Sequence, residues 1–154
     1  MVINVRLNND EPVRERLSEI ITEARQLCNA LLVAPQKDVD RIDAESVPVV
    51  RGIYCWSFKG DGLPAYIGVA LGKHGLRGRI SQQHLRPSYV QSVFRKSVMR
   101  EAGVWEREES VKLIRSRFKI AFVEYDKNPG IVRAAEALLI AALEPKYNKM
   151  GKKL

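Results

Sequence analysis

A chain of 154 residues with 45% hydrophobic content can bury one substantial core and is too short for two full domains. No stretch approaches the length of a membrane span, and the N-terminus lacks a basic region followed by an apolar run, which argues against insertion and secretion. The net charge of +8 is uneven: residues 1–50 carry six basic against nine acidic side chains, and residues 51–154 carry twenty against nine, an excess that either meets a polyphosphate or serves only solubility.

After a short polar start, the spacing of Val13, Leu17, Ile20, Ile21, Ala24, Leu27, Cys28, Leu31 and Leu32 predicts an amphipathic helix from Pro12 to Leu32. Asp10 is placed to cap it, Pro12 suits its first turn, and Pro35 stands just past its end. Its apolar stripe must be covered by the domain that follows or by a second copy of the chain. Residues 36–49, with Asp38, Asp40, Asp43 and Glu45 before Pro48, read as a polar connector. This divides the chain into an N-terminal extension, 1–48, and a main module, 49–154. Cys28 and Cys55 lie in apolar surroundings without a Cys-x-x-Cys spacing, which fits reduced thiols of a cytoplasmic protein and not a zinc site.

Ile53–Phe58 and Ala65–Val69 are rich in β-branched and aromatic residues and flank the turn signal Lys59-Gly60-Asp61-Gly62, so they predict a hairpin. Alternation of faces and the close spacing of strands allow Tyr54 and Tyr66 to point to one side, with Gly68 leaving room for a ligand near the backbone. A helix carrying Arg77 and Arg79 follows, then a polar break at Arg86-Pro87-Ser88, a helix from Ser92 to Glu101, and another starting near Glu108. Phe118–Tyr125 alternates like a half-buried third strand. Asp126–Gly130 reads as a turn and Ile131–Leu143 as a helix that is apolar except for Arg133 and Glu136. Trp56 and Trp105 read as packing residues. The fold class expected is α/β of the α+β type, a small three-stranded antiparallel sheet flanked by helices.

Glu136 in such a helix must be paired, as with Arg133, or neutralised, or coordinated to a cation. Arg79 can hold a phosphate through two parallel hydrogen bonds, and Arg77 serves the same end or is a surface charge. Lys73 and His74, in the loop before the helix, touch a phosphate backbone or nothing. Taken alone, Tyr54 and Tyr66 read first as core aromatics of the hairpin with hydroxyls bonded to backbone.

Gly52-Ile53-Tyr54 and Tyr66-Ile67-Gly68 spell the two tripeptides of the GIY-YIG endonucleases, and the chain resembles that family over residues 50–148. Leu76-Arg77-Gly78-Arg79-Ile80 is similar to the family's arginine motif, Glu136 to its metal-binding glutamate, and Pro145-Lys146-Tyr147-Asn148 to its closing segment. The resemblance implies a metal-dependent nuclease acting on DNA, with one Mg²⁺ or Mn²⁺ held by Glu136 and no small-molecule cofactor. It further implies that Arg79 clamps the scissile phosphate, Tyr54 receives a proton from water, Tyr66 orients water or phosphate, and Asn148 supports Tyr54 or the metal side. The family usually has His or Tyr four residues after its arginine, whereas here that place holds Gln83, with His84 one later. One residue turns an α-helical side chain by about 100°, so either the helix is distorted there or His84 takes no part. A module that keeps the fold and only binds nucleic acid is the rival reading, and the first helix is a candidate dimer contact.

Overall fold

A computed structural model describes residues 11–88 and 91–150 of the chain, and at its centre is the expected hairpin. Strand β2 (Gly52–Phe58) turns through Lys59–Gly62 into β3 (Pro64–Ala70), with Gly62 at a left-handed φ of 72° that glycine adopts without strain. Tyr54 lies opposite Gly68 and Trp56 opposite Tyr66, and the register shifts after Trp56. On its other side β2 pairs along its whole length with β4 (Phe118–Glu124), from Gly52 opposite Glu124 to Phe58 opposite Phe118.

The sheet has four strands, not the expected three. Lys37 and Asp38 form a short β1 against Ile120 and Lys119 of β4, giving the order β1-β4-β2-β3, all antiparallel. A two-residue polar strand has no alternation to reveal it, so the stretch reads as connector. The connector is itself packed: Val39, Ile42 and Val47 are buried, and Arg115 Nη1 donates to the Val39 and Ile42 carbonyls at 2.6 and 3.1 Å.

Helices cover both sheet faces in this α+β fold. The described residues form α1 (Glu11–Val33), α2 (Gly75–Arg77), α3 (Val93–Ala102), α4 (Arg107–Arg117), α5 (Pro129–Leu143) and α6 (Lys146–Met150). Asp10, the expected cap of α1, lies outside the described residues. Ser92 caps α3 by accepting from the Arg95 N–H, and Gly103 closes it at φ 66°; Asn128 caps α5.

One face of the sheet buries Tyr54, Trp56, Phe118 and Ile120 with Phe94, Ile80, Ile114 and Tyr147. The other buries Ile53, Ile67 and Ala121 against Ala24, Leu27 and Leu31 of α1 and Ile131, Ala135 and Leu139 of α5. The extension and the main module therefore share both cores. Each buried Leu, Ile or Phe among these contributes about 1.5–3 kcal/mol on leaving water. Cys28 is buried, Cys55 is half-buried, and both are free thiols. Among the described residues no helix is long and apolar enough to cross a membrane.

Trp56 is packed as expected, its ring 5.0 Å from that of Phe94, but Trp105 is 77% exposed and does not pack. Trp105 falls in the link between α3 and α4, a placement that composition does not signal.

Candidate active site

Tyr54 and Tyr66 share one face of the hairpin with ring centroids 6.4 Å apart. The space over Gly68 is filled by Tyr54 and not by open solvent: a Cβ at position 68 would sit 2.3 Å from Tyr54 Oη and 2.5 Å from Cζ. Gly68 is thus required by the tyrosine ring, which corrects the expectation of a ligand recess at that point. Tyr54 is 0% exposed, whereas Tyr66 is partly open.

The segment after α2 resolves the spacing problem at Gln83 and His84. Gly78–His84 is a π-helical turn, and Leu85 N–H donates to Ile80 O, five residues back. Widening the turn by one residue brings position 84 to the place that 83 would hold in an α-helix. His84 Nε2 lies 2.7 Å from Tyr54 Oη, and its Nδ1 lies 2.7 Å from Ser92 Oγ. Gln83 has a different use, accepting from Arg79 Nη1 at 2.6 Å.

Electrostatics tie these groups together. Burial raises the pKa of Tyr54, and the neighbouring Tyr66 and Glu136 push the same way, opposed by the charge of Arg79 and a hydrogen bond from it. Tyr66 is raised by burial too, again with Arg79 opposing through charge and hydrogen bonding. His84 is held down to about 3 by burial and by the positive fields of Arg79 and Arg95. Glu136 is raised by burial, while Arg133 and Arg79 pull it back. Arg133 and Glu136 form no close ion pair among the described residues, so Arg133 compensates the carboxylate through its field and not through a direct contact.

The remaining expected residues divide between surface and scaffold. Lys73 and His74 are exposed and line an open cleft of about 320 Å³ with Gly72, Arg79, Gln82 and Gln83. Arg77 is turned to the connector, its Nε donating to Val47 O at 2.7 Å and Nη2 3.9 Å from Glu45. Asn148 holds neither Tyr54 nor Glu136. Its Oδ1 accepts from Ile67 N at 2.8 Å and its Nδ2 donates to Ile67 O at 2.9 Å, so it clamps the main chain between Tyr66 and Gly68.

Ser92 and Arg95 escaped the sequence reading. A serine three residues before the arginine, at the start of a predicted helix, is a cap signal, but nothing in the sequence says that the cap would face a histidine.

Glu136 is the one carboxylate that shares the fields of Arg79 and both tyrosines, and no group of three or more potential metal-ligating side chains occurs among the described residues. A single carboxylate of this kind could hold Mg²⁺ or Mn²⁺ with substrate oxygens and water completing the shell. Neither a family model, nor a curated protein, nor a solved structure matches this chain.

Proposed function

We propose that the protein is a metal-dependent DNA endonuclease of the GIY-YIG fold, hydrolysing phosphodiester bonds by water attack. The observation that carries this reading is the meeting of Tyr54, Tyr66 and His84, drawn from two strands and a π turn, with the charges of Arg79 and of Glu136 on α5 acting on both phenols. Structural packing alone gives no reason for a guanidinium, an imidazole, two phenols and a carboxylate to interact in one small region, where each buried polar group carries a desolvation cost.

In this reading Arg79 holds the scissile phosphate at the cleft and opposes charge that grows on its oxygens, with exposed Lys73 guiding the backbone toward it. Tyr54 is a poor base by itself, because burial disfavours its phenolate. With the imidazole proton on Nδ1 facing Ser92, Nε2 is free to accept. Tyr54 Oη is sealed in the free protein, so in this reading substrate binding must open it to a water, from which it takes a proton while passing its own to His84 Nε2. The resulting imidazolium is disfavoured by burial first and then by Arg79 and Arg95, and a phosphate bound to Arg79 relieves only the second of these. Tyr66, the more open phenol, orients water or phosphate. Glu136 would hold one Mg²⁺ or Mn²⁺, whose chemistry when bound is to stabilise charge on the leaving oxygen.

Nicking of supercoiled plasmid in Mg²⁺ or Mn²⁺ tests the proposal, with Glu136→Ala and Arg79→Ala beside the wild type. Loss of nicking in both variants is the expected result, and equal activity in all three proteins overturns it. The sealing of Tyr54 favours a second reading, a module that binds DNA in a salt-dependent way and cleaves nothing. Plasmid binding without any metal-dependent nicking would establish that alternative.

A further inference from the structure

Arg95 is only 3% exposed, yet it meets no carboxylate among the described residues. Its Nη1 donates instead to carbonyl oxygens of Arg86 at 2.6 Å, Gln83 at 3.3 Å and His84 at 3.4 Å, and Nη2 reaches Pro87 O at 3.5 Å. Its own N–H is bound to Ser92 Oγ, the atom that also meets His84 Nδ1. One residue of α3 thus grips the end of the π turn from outside, and its neighbour Ser92 grips the imidazole.

The grip has a purpose in the local energetics. An isolated helical turn prefers bonds four residues back, and π turns are rare and persist where surrounding structure imposes them. The carbonyls at the end of a helical segment lack intrahelical partners and carry partial negative charge, which suits a guanidinium with several donors. A buried cation is costly unless such oxygens surround it, so the position is a built feature and not a stray surface charge.

We propose that Arg95 is the positioning residue of this site: by holding the carbonyls of Gln83, His84 and Arg86 it fixes Gly78–His84 as a π turn and so presents His84, in place of Gln83, to Tyr54. The catalytic part of this assignment rests on the hydrolase reading; the geometric part does not. Without the guanidinium the segment relaxes to the α register, in which position 83 faces the tyrosine.

The test uses the full chain and two readouts. In plasmid nicking, Arg95→Met falls about tenfold or more while DNA affinity stays within about twofold. Adding Gln83→His to Arg95→Met restores most of the loss, whereas Gln83→His alone gives no gain. A general loss of packing would not be repaired by a second substitution in the turn. Full nicking by Arg95→Met, or failure of the added histidine to restore it, overturns the register assignment.

Imidazole ¹⁵N spectra give an answer even if the wild type never nicks. The chain has two histidines, so His74→Gln assigns the His84 signals. Wild type is expected to show one fixed tautomer bound to Tyr54, and Arg95→Met to lose it. Unchanged His84 signals overturn the proposal. Should Arg95→Met fail to fold, Arg95→Lys is read by the same spectra, because one ammonium cannot span the same set of carbonyls.

Discussion

Tyr54 Oη and His84 Nε2 lie 2.7 Å apart with both side chains buried, joining the first strand of the hairpin to the last residue of a π turn. Each is the other's compensation for burial, and neither is well placed without its partner. Tyr54→Phe keeps the ring and removes the bond, leaving an imidazole nitrogen unpaired. It should cost about 1–3 kcal/mol of stability and reduce nicking by about a hundredfold or more. Chemical denaturation and plasmid cleavage measure the two effects separately.

Acid should destabilise the protein through His84. Burial with Arg79 and Arg95 holds its pKa at about 3 against 6.5 for the free side chain, so between those values the unfolded chain binds a proton that the folded one refuses. Stability is full above the unfolded value and falls toward pH 3 by up to about 1.4 kcal/mol per unit. His84→Gln should flatten that slope in urea titrations run from pH 7 to pH 4.

Gly68→Ala should disturb the site without touching a reactive group. The added methyl would meet the Tyr54 hydroxyl at 2.3 Å, while a methyl at Gly60 in the hairpin turn would meet nothing within 4 Å. Overpacking of this kind costs about 1–3 kcal/mol, and the displaced ring should cut nicking as well. Gly60→Ala is expected to match the wild type in both thermal melting and cleavage.

Binding and turnover should separate by residue. Glu136→Gln is expected to bind DNA with wild-type affinity and lose metal-dependent nicking. Lys73→Ala should weaken binding evenly across sequences and reduce the slope of log affinity against log salt by about one. Fluorescence anisotropy at several salt concentrations provides both numbers.

Leu17 and Ile21 on α1 are 55% and 48% exposed, in contrast to the buried Leu27 and Leu31 farther along the same helix. If that open stretch joins two copies, Leu17→Glu converts a dimer to a monomer in sedimentation. Its own stability cost should stay within about 0.5 kcal/mol, because the side chain lies outside the core.

The hairpin, the main helices and the strand at Phe118 were legible because burial imposes periods of two and 3.6 on the residues. β1 was hidden, since Lys37 and Asp38 are polar and two residues carry no period. The π turn was hidden for a related cause: counting along a helix assumes a constant step, and the one-residue offset of His84 from the expected place is the trace of its failure. Arg79, Glu136 and the tyrosines were found by residue type and motif. Arg95 was not, because an arginine in a basic chain reads as surface charge until its carbonyl partners are seen. Arg77 shows the converse, a motif residue that the fold spends on the connector.

Asn148 reaches from the C-terminal helix to the outer edge of β3 and satisfies both main-chain groups of Ile67. Left bare, that edge would offer unpaired donors and acceptors to any extended segment of a neighbouring molecule, the usual seed of strand-to-strand aggregation. The amide that steadies the tyrosine hairpin therefore also closes Ile67 to strand addition for as long as α6 stays docked.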